Sequence, residues 1–311
     1  MSAIAINGRF LTQPTTGVQR VAGELLRALD SLAGEGRTPP LCVIAPRGAQ
    51  APWLGHIALR HAGTGAGQSW EQRVLPRAAG GAMLLNMGNT APILAGRHQA
   101  VLIHDAGAFD TPGSYSLAFR SWYRLLHRLL VLRGARVITV SEFSRARLAH
   151  WLRLDPGRIG VITEGAEHIL RPAADDAVLA RNQLRPGGYA LAVGTGAAHK
   201  NLDLLAAAAS WLKARGQVVA AAGARDGAVF SATAAAAPLV ALGRVSDGEL
   251  RALYQHASCL LFPSRYEGFG LPPLEAMACG CPVVAARAAS VPEVCGEAAL
   301  WFDPAAPASL V

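Results

Sequence analysis

Residues 259–285 read CLLFPSRYEGFGLPPLEAMACGCPVVA. This stretch predicts a buried strand, a loop with two glycines, a helix over 272–279 and a second strand. Two prolines open the helix, at positions where a missing amide hydrogen costs little. Glu267 then falls in the loop and Glu275 in the first turn of the helix. A strand, a helix and a further strand in this order are typical of a parallel α/β sheet.

The loop and the start of the helix carry groups that suit a phosphorylated sugar. Gly268 and Gly270 let the backbone approach a ligand closely, and the free amides of a helix N-terminus favour a diphosphate. Carboxylates only accept hydrogen bonds, whereas sugar and ribose hydroxyls can donate them. Without a ligand, Glu275 would merely complement the helix dipole and Glu267 would be a solvated loop residue.

Strands and helices continue to alternate on both sides of this stretch, which indicates repeated strand–helix units around parallel sheets. The predicted strands are 3–6, 41–45, 82–85, 100–103, 137–140, 159–162, 189–193, 217–222, 239–242, 259–262 and 283–285. The predicted helices are 17–32, 117–132, 142–153, 202–214, 247–256 and 272–279. Ser141, and Ser246 together with Glu249, are suitable N-terminal caps for two of these helices.

The length of 311 residues suits two domains of about 150 residues each. The segment 171–188 is rich in proline, glycine and charge, and a new strand follows it. We therefore expect an N-terminal domain at 1–170, a linker at 171–188 and a C-terminal domain at 189–311. Two doubly wound sheets would place a cleft between the carboxyl ends of their strands, where ligands usually bind.

The composition, 51% hydrophobic and 16% charged, is typical of a folded, water-soluble protein. The N-terminus, MSAIAING, lacks the basic region and apolar stretch of a signal peptide. No apolar run approaches the ~18 residues that a membrane-spanning helix needs. The expected location is therefore the cytoplasm.

The sequence has few features of a disulfide framework or of a metal-binding site. The five cysteines are odd in number and no secretory signal accompanies them, so a disulfide framework is not expected. Cys279 and Cys281 are separated by one residue, which is too short for a metal site, and no second ligand pair follows. We interpret the cysteines as small hydrophobic residues. The chain has no Asp-x-Asp, so a metal-bound diphosphate is not expected either.

Positive charge is concentrated in the first half of the chain. Residues 1–168 hold 18 Arg and 10 Asp+Glu, which gives 18 − 10 = +8, whereas residues 169–311 hold 11 Lys+Arg and 11 Asp+Glu. The first half should attract an anionic ligand or surface.

Arg120, Arg124 and Arg128 form one stripe of a predicted helix. This stripe either lies on an anionic membrane or is an ordinary solvated face. No basic–aromatic recognition module is evident, so nucleic acid is not an expected partner.

A second loop in the C-terminal half carries a lysine. After the strand YALAV, residues 194–201 read GTGAAHKN. The segment contains Gly-x-Gly but lacks both the third glycine of a dinucleotide-binding fold and the Lys-Ser/Thr ending of a P-loop. Lys200 is suited to neutralise a diphosphate leaving group.

These features resemble a known family. The Glu-x7-Glu spacing within EGFGLPPLEAMACGCPVVA is similar to that of family 4 (group 1) retaining glycosyltransferases of the GT-B fold. Further segments resemble that family along essentially the whole chain: GVQRVAGELL, SWEQRVLP, LLNMGNTAPIL, LIHDAGAFDTP, VITVSEFSRARL and GRVSDGELRALY. NGRFLTQPTTGVQR and GNTAPI particularly resemble bacterial exopolysaccharide and O-antigen mannosyltransferases. The implied fold is α/β, with two Rossmann-like doubly wound domains facing a central cleft.

The resemblance implies a role for each matching residue. Glu267 would hold hydroxyls of the donor sugar beside the reacting carbon, Glu275 would hold the ribose hydroxyls, and Lys200 would neutralise the diphosphate. The implied catalytic residues are Glu267, His104 and Lys200. The implied donor-binding residues are Gly17, Gly194, Thr195, His199, Lys200, Glu267, Gly268, Phe269, Gly270, Leu271 and Glu275.

Three of these residues also have simpler explanations. His199 stands where many relatives have arginine, and a neutral histidine would stabilise a departing anion less. Gly17, expected in the loop after the first strand, can be a plain strand–helix connection. His104, at the end of the strand AVLIH, matches a histidine that faces the cleft in relatives, but it can also be a buried and satisfied side chain.

The implied reaction moves a hexose, preferably mannose from GDP-mannose, onto a lipid-linked or oligosaccharide acceptor in cell-surface polysaccharide synthesis. It would retain the anomeric configuration and need neither a metal nor a cofactor beyond the nucleotide sugar. The first domain would bind the acceptor, and the enzyme would be cytoplasmic and peripheral to the inner face of the membrane. Relatives usually continue beyond FDPAAPASLV with helices that cross back, and these are missing here. The alternatives are a catalytically weak nucleotide-sugar-binding remnant and a GT-B epimerase or phosphorylase.

Overall fold

A computed structural model describes most of the chain: residues 3–202, 204–223 and 239–306. The chain divides into two compact units. Unit 1 comprises the chain up to Asp110 together with Tyr115–Thr163. Unit 2 comprises Thr111–Ser114 and the chain from Glu164 onward.

The sheet of unit 1 has seven strands in the described part of the chain: β1 (Ile4–Asn7), β2 (Leu41–Ala45), β3 (Ala58–His61), β4 (Met83–Asn86), β5 (Gln99–Leu102), β6 (Arg136–Thr139) and β7 (Ile159–Val161). All neighbouring pairs are parallel, in the order β3-β2-β1-β4-β5-β6-β7. The chain first adds strands on one side of β1 and then continues on the other side with β4. The connections that leave β1 and β4 therefore diverge, which creates a crevice at their carboxyl ends.

Helices pack on both faces of this sheet. They are α1 (Gly17–Gly34), α2 (Gly67–Arg73), α3 (Leu75–Ala79), α4 (Gly107–Asp110), α5 (Leu117–Leu132) and α6 (Glu142–Leu152). One cluster of buried side chains surrounds Ile44 and Trp70. Another surrounds Val101, Leu126 and Leu148. Since both faces are covered, the central strands consist of nearly continuous apolar residues.

The described sheet of unit 2 has six strands: β8 (Tyr189–Val193), β9 (Val218–Ala222), β10 (Leu239–Gly243), β11 (Cys259–Phe262), β12 (Val283–Ala286) and β13 (Ala299–Phe302). They are parallel in the order β10-β9-β8-β11-β12-β13. The direction of strand addition reverses between β8 and β11, which are hydrogen-bonded neighbours. The loops that follow these two strands, 194–201 and 263–270, therefore leave the sheet side by side.

The helices of unit 2 in its described residues are α7 (Glu167–Leu170), α8 (Ala177–Arg181), α9 (Leu204–Lys213), α10 (Asp247–His256), α11 (Leu271–Ala278) and α12 (Val291–Cys295). The core is built around three fully buried aromatic side chains, Tyr189, Tyr254 and Phe262.

The α/β fold with two parallel sheets is confirmed. Each predicted strand has a counterpart whose ends differ by no more than one residue. The caps are confirmed too: the Ser141 hydroxyl accepts a hydrogen bond from the Ser144 amide, and Ser246 and Glu249 form a capping box. Residue 203, inside the predicted helix 202–214, lies outside the described residues.

The division of the chain differs from the one expected from the sequence. It falls between Thr163 and Glu164, a few residues before the expected end of the first domain. The segment 171–188 also contains helix α8, whose Val178 and Leu179 are buried in the core of unit 2. The surface prolines and charged residues give this segment the composition of a linker. Its apolar residues nevertheless pack into the core, as those of the other helices do.

Candidate functional site

The loop between β11 and α11 is held by a buried serine. The Ser290 hydroxyl lies 2.6 Å from the carbonyl oxygen of Phe269 and 3.0 Å from that of Glu267. Gly270 ends the loop with a φ of 118° and is the N-cap of α11. Residues with a Cβ rarely adopt this conformation, so the glycine is needed for the turn into the helix. The Glu-Gly-Phe-Gly sequence therefore follows a fixed path at the end of β11.

Lys200 and Glu267 form an ion pair. Lys200 ends a short 3-10 helix, Ala198–Lys200, and its Nζ lies 2.7 and 2.9 Å from the two carboxylate oxygens of Glu267. The Arg265 amide donates to the His199 carbonyl over 2.8 Å, which ties the two loops together at the backbone. The side chains of the pair are only 18% and 11% exposed. Two residues that the sequence assigns to different parts of a donor are thus direct partners.

Glu275 lies in the second turn of α11 and not in the first turn as expected, because the helix begins at Leu271. The residue is 4% exposed. Oε1 accepts a hydrogen bond from His168 Nε2 at 2.6 Å, and Oε2 accepts one from the Tyr254 hydroxyl at 2.9 Å. Burial, followed by the nearby carboxylate, raises the pKa of Tyr254 far above its usual value, so the hydroxyl stays a donor. Each oxygen of Glu275 keeps a second lone pair that can accept from a ligand hydroxyl.

The other donor-site residues predicted in unit 2 belong to the same two loops. Gly194 follows β8 directly, and its amide donates to the carbonyl of the neighbouring strand β9. Thr195 follows Gly194, and the His199 amide donates to the Ser114 hydroxyl at 3.3 Å, within unit 2. Gly268, Phe269 and Leu271 surround the turn at the start of α11. The fold brings these residues together, and their binding to a donor stays a prediction.

Two predicted residues belong to unit 1. Gly17 is the first residue of α1, where the predicted helix 17–32 begins, and it directly follows the loop in which the resemblance placed it. His104 follows β5 and is buried; its Nε2 donates to the Met87 carbonyl at 3.2 Å, and its amide donates to the Asn89 side chain at 2.7 Å. These contacts explain the position of the histidine ring. The proposed roles of both residues at a donor stay predictions.

The three arginines of α5 are not equivalent. Arg124 Nε donates to the Ala108 carbonyl at 2.8 Å, and its Nη2 donates to the Phe109 carbonyl at 3.2 Å. The guanidinium group of Arg124 therefore holds α4, and the choice between a membrane-bound and a solvated face stays a prediction. Arg128 is exposed and Arg120 is partly exposed.

Within residues 3–202, 204–223 and 239–306, no group of three or more His, Cys, Asp or Glu side chains is arranged to hold a metal ion. No helix in the same ranges has the length and apolar character needed to cross a bilayer. All five cysteines are free thiols, and two of them, Cys281 and Cys295, are buried. Burial raises the pKa of Cys281 to about 12, which leaves the thiol unreactive at neutral pH.

Sequence reasoning missed three residues that shape the site: His168, Tyr254 and Ser290. None of them belongs to the Glu-x7-Glu segment or to the lysine loop. The amphipathic pattern of α10 could have shown that Tyr254 faces the core, but not that it meets Glu275. The other two contacts depend on how distant segments pack, which no local pattern reveals.

The chain is similar to known proteins in sequence and in fold. The sequence model of the family Glycosyl transferases group 1 matches residues 188–311. O-antigen chain mannosyltransferase B of Escherichia coli is 37% identical over 226 residues, which cover 65% of this chain and 56% of that protein. O-antigen chain mannosyltransferase RfbU of Salmonella typhimurium is 28% identical over 248 residues, covering 75% of this chain and 64% of that protein. The chain thus spans less than two thirds of the length of these relatives.

Solved structures show the same fold. HepE of Anabaena in complex with UDP and glucose has a TM-score of 0.71 at 16% identity, covering 100% of this chain and 88% of that chain. WaaG, a glycosyltransferase involved in lipopolysaccharide biosynthesis, has a TM-score of 0.69 at 13% identity, covering 99% and 88%. Residues 188–311 thus match the group 1 glycosyltransferase family, about two thirds of the chain is similar to an O-antigen mannosyltransferase, and the two parallel-sheet units have the GT-B fold of these solved structures.

Proposed function

We propose that the protein transfers a hexose, and most readily mannose from GDP-mannose, to a lipid-linked or oligosaccharide acceptor in cell-surface polysaccharide synthesis. The names of the relatives support mannose as the sugar. The structural neighbour HepE has UDP and glucose bound. The preference for GDP-mannose therefore rests on the mannosyltransferase relatives alone.

The observation that carries this proposal is the Lys200–Glu267 pair at the adjoining ends of β8 and β11. A nucleotide-diphosphate sugar has an anionic part and a hydroxyl-rich part next to each other. The lysine offers a positive charge to the first, and the carboxylate offers acceptors to the second. The N-terminus of α11 adds the partial positive charge of a helix start, although Pro272 and Pro273 have no amide hydrogen to donate.

In the proposed reaction, the bond between the anomeric carbon and the β-phosphate oxygen breaks. An acceptor hydroxyl forms the new bond to the same carbon, and its proton passes to the departing diphosphate oxygen. Negative charge grows on the departing diphosphate, where Lys200 Nζ would stabilise it. Glu267, released from the lysine, would accept hydrogen bonds from the sugar hydroxyls. Attack on the face that the diphosphate leaves would retain the anomeric configuration.

Glu275 would bind the ribose of the same donor. Its side chain is already oriented by His168 and Tyr254, so little conformational freedom would be lost on binding. A buried carboxylate with a spare lone pair on each oxygen suits two neighbouring hydroxyls.

A thermal-shift experiment tests donor binding with a matched control. The chain has two lysines, Lys200 and the exposed Lys213. A ligand at 100 times its Kd stabilises a protein by about 2.7 kcal/mol, or a few degrees in Tm. We expect GDP-mannose to raise Tm more than UDP-glucose, UDP-GlcNAc or free nucleotides do. Lys200→Gln should abolish most of this shift and Lys213→Gln should keep it. If no nucleotide sugar stabilises the wild-type protein, the proposal is refuted.

A transfer assay separates an enzyme from a binding remnant. The wild-type protein is incubated with GDP-mannose and either a polyprenyl-diphosphate-linked sugar or a water-soluble oligosaccharide, and products are identified by mass spectrometry. An acceptor extended by one hexose confirms the transferase. Donor binding without any extended acceptor would instead favour the remnant.

We further propose that α5 lies on an anionic membrane. Its outer face combines Arg128 with three exposed leucines, Leu117, Leu125 and Leu132, which are 68%, 51% and 79% exposed. Apolar side chains with arginines among them are typical of helices that lie in a membrane interface. A basic residue near an anionic surface contributes about 1 kcal/mol.

The membrane proposal is tested by co-sedimentation with vesicles that contain anionic lipid. The double variant Arg120→Gln/Arg128→Gln should bind roughly 10–30-fold more weakly. The matched control is Arg181→Gln/Arg185→Gln, which removes two exposed arginines from unit 2. The α5 variant should also raise KM for a lipid-linked acceptor but not for a soluble one. Equal vesicle binding by both double variants would contradict the proposal.

A further inference from the structure

Unit 1 contains a cavity of about 310 Å³ at the amino ends of β6 and β7, named the arginine cavity. Arg136 is the first residue of β6, Arg158 immediately precedes β7, and both line the cavity. His104 follows the carboxyl end of β5, so the arginine cavity lies at the opposite edge of the sheet from that residue. The volume is within the ~300–1,000 Å³ range of small-molecule sites. The proposed transfer reaction does not use it.

The two arginines of the cavity begin from neighbouring positions. Val137 and Ile159 are register partners in the parallel pair of β6 and β7. Arg136 and Arg158 come one position earlier and therefore also lie opposite each other. Neither guanidinium group forms a hydrogen bond or an ion pair with a described residue. Neighbouring strands are about 4.8 Å apart, so the two charges repel each other unless an anion lies between them.

Further arginines surround the cavity. A Cβ added to the lining residue Gly134 would lie 3.5 Å from the Cβ of Arg97. Arg133 and Arg153 directly precede the lining residues Gly134 and Leu154. These three arginines are exposed and, in the described part of the chain, have no ion-pair partner either. The cavity is thus the centre of a strongly basic surface.

Helix ends account for only part of this positive charge. α5 ends at Leu132 and α6 ends at Leu152, so two helix C-termini, each with about half a negative charge, lie near the cavity. Asp155 adds one negative charge, and its Oδ1 accepts from the Gly157 amide at 2.9 Å. Five arginines against about two negative charges leave a surplus of about three. The surplus favours an anionic ligand.

The rest of the cavity lining is largely apolar. Val137 belongs to a buried core cluster of unit 1, and Val131 and Leu154 pack against that cluster. A bare inorganic anion would leave this apolar surface in water, whereas an anion with an attached alkyl group would cover it. The cavity therefore suits a ligand in which an anionic group adjoins an apolar part.

We propose that the arginine cavity binds the phosphate group of a phosphate ester between Arg136 and Arg158. The apolar part of the ester would pack on Val131, Val137 and Leu154. Phosphate is favoured over carboxylate because each guanidinium group can form paired hydrogen bonds with different phosphate oxygens, whereas one carboxylate satisfies one guanidinium group. A soluble phosphate ester and a phospholipid headgroup present the same chemistry. This inference does not rest on the transferase function.

Isothermal titration of the full chain at low ionic strength tests the binding itself. The probes are butyl phosphate, inorganic phosphate, butyrate and 1-butanol. We expect butyl phosphate to bind most tightly, inorganic phosphate to bind more weakly, and the other two to give no measurable heat of binding. If butyl phosphate does not bind, or if butyrate binds as tightly, the proposal is overturned.

Variants locate the binding on the cavity, and the exposure of both arginines makes misfolding an unlikely result of replacing them. Arg136→Gln/Arg158→Gln should weaken the binding of butyl phosphate roughly 10- to 100-fold. Arg136→Lys/Arg158→Lys keeps the charge but not the paired hydrogen bonds, and should weaken it about 3- to 10-fold. The control Arg47→Gln/Arg185→Gln removes two exposed arginines elsewhere and should bind as the wild type does. Equal binding by the glutamine variant and the control, or unchanged binding by the lysine variant, would refute a specific site.

The donor loops also attract phosphates, so the titrations are repeated on Lys200→Gln. This variant should lose the response to GDP-mannose and bind butyl phosphate unchanged. Loss of butyl phosphate binding would move the ligand to the donor loops and refute the arginine cavity, while the transferase would stand. Absence of any nucleotide-sugar response in the wild type, with butyl phosphate still bound, would refute the transferase alone.

Vesicles distinguish the two sources of the phosphate ester. Vesicles that contain phosphatidylglycerol should displace butyl phosphate if the natural ligand is a lipid headgroup, whereas vesicles of phosphatidylcholine alone should not. Butyl phosphate that stays bound beside both kinds of vesicle assigns the cavity to a soluble phosphate ester. Displacement by both kinds alike would show that the phosphate group is not recognised as proposed, and would overturn the assignment.

Discussion

Replacing Glu267 with glutamine should tighten the binding of GDP while it slows sugar transfer. Lys200 Nζ lies within 2.9 Å of both carboxylate oxygens of Glu267. A diphosphate must draw this cation away from its partner before it can use the charge. Glutamine has nearly the same shape but no charge, so Lys200 would be held less strongly and would become available to the phosphates.

The magnitude follows from the geometry of the pair. Two unit charges 2.7 Å apart attract each other by about 6 kcal/mol at an effective dielectric constant near 20. Loss of hydration offsets most of this attraction, and a hydrogen bond between charged groups contributes a net ~1.5–3 kcal/mol. If about half of that is lost with glutamine, the Kd for GDP should fall about 5- to 10-fold. If the carboxylate holds the donor sugar beside the reacting carbon, as proposed, kcat should fall by roughly 10²–10³.

Isothermal titration with GDP measures the first effect and the transfer assay measures the second. Glu297→Gln is the control, because Glu297 is exposed in unit 2 and its replacement changes the net charge by the same amount. A Kd for GDP that is unchanged in Glu267→Gln, or that changes equally in both variants, would refute the idea that the diphosphate competes for Lys200. Unchanged kcat would refute the role of the carboxylate in transfer.

Three further predictions concern stability. Tyr254→Phe removes a donor from the buried glutamate of α11 and should lower the free energy of unfolding by about 1–3 kcal/mol in urea titrations; no loss would show that this bond contributes little. Burial raises the pKa of Asp30, but hydrogen bonds from the amides of residues 55–57 outweigh burial and lower it overall. The folded pKa therefore lies below the unfolded value, and the stabilisation is present above about pH 4 and lost as pH falls further. Asp30→Asn should be less stable than wild type at pH 7, and the difference should shrink as pH falls below about 4; a difference that does not vary with pH would contradict this. Arg124→Gln should cost about 1–2 kcal/mol because two carbonyls lose a donor, whereas Arg128→Gln should stay within about 0.5 kcal/mol; equal effects on Tm would contradict the contacts of Arg124.

The sequence predicted the strands of both sheets well because most of them are short apolar runs between polar connections. The two strands it missed, β3 (ALRH) and β13 (ALWF), both lie at sheet edges. An edge strand has a neighbour on one side only, and much of β3 is exposed, so its sequence need not be apolar. Hydrophobic pattern alone cannot distinguish such a segment from a loop.

The residues of the candidate site could be predicted, but their pairing could not. Glu267 and Lys200 stood out because each follows a recognisable strand. Their contact spans 67 positions and depends on β8 and β11 being neighbours, which follows from the order of strands and from no local motif. His168 meets Glu275 across 107 positions, from a segment without a strand or a motif of its own. Local patterns predict what a residue offers, whereas topology decides which residues meet.

Helix α5 carries two residue patterns, one of arginines and one of aromatic rings. The sequence directed attention to its arginines, because charge is conspicuous, and not to the fourfold spacing of Phe119, Tyr123 and His127. In the structure these rings line a cavity, while Leu125 and Leu132 project from the other side of the helix. A helix is about 10 Å across, so a membrane-bound α5 would keep the cavity within about that distance of the lipid. The variants of Arg120 and Arg128 should therefore impair transfer to a lipid-linked acceptor more than transfer to a soluble oligosaccharide.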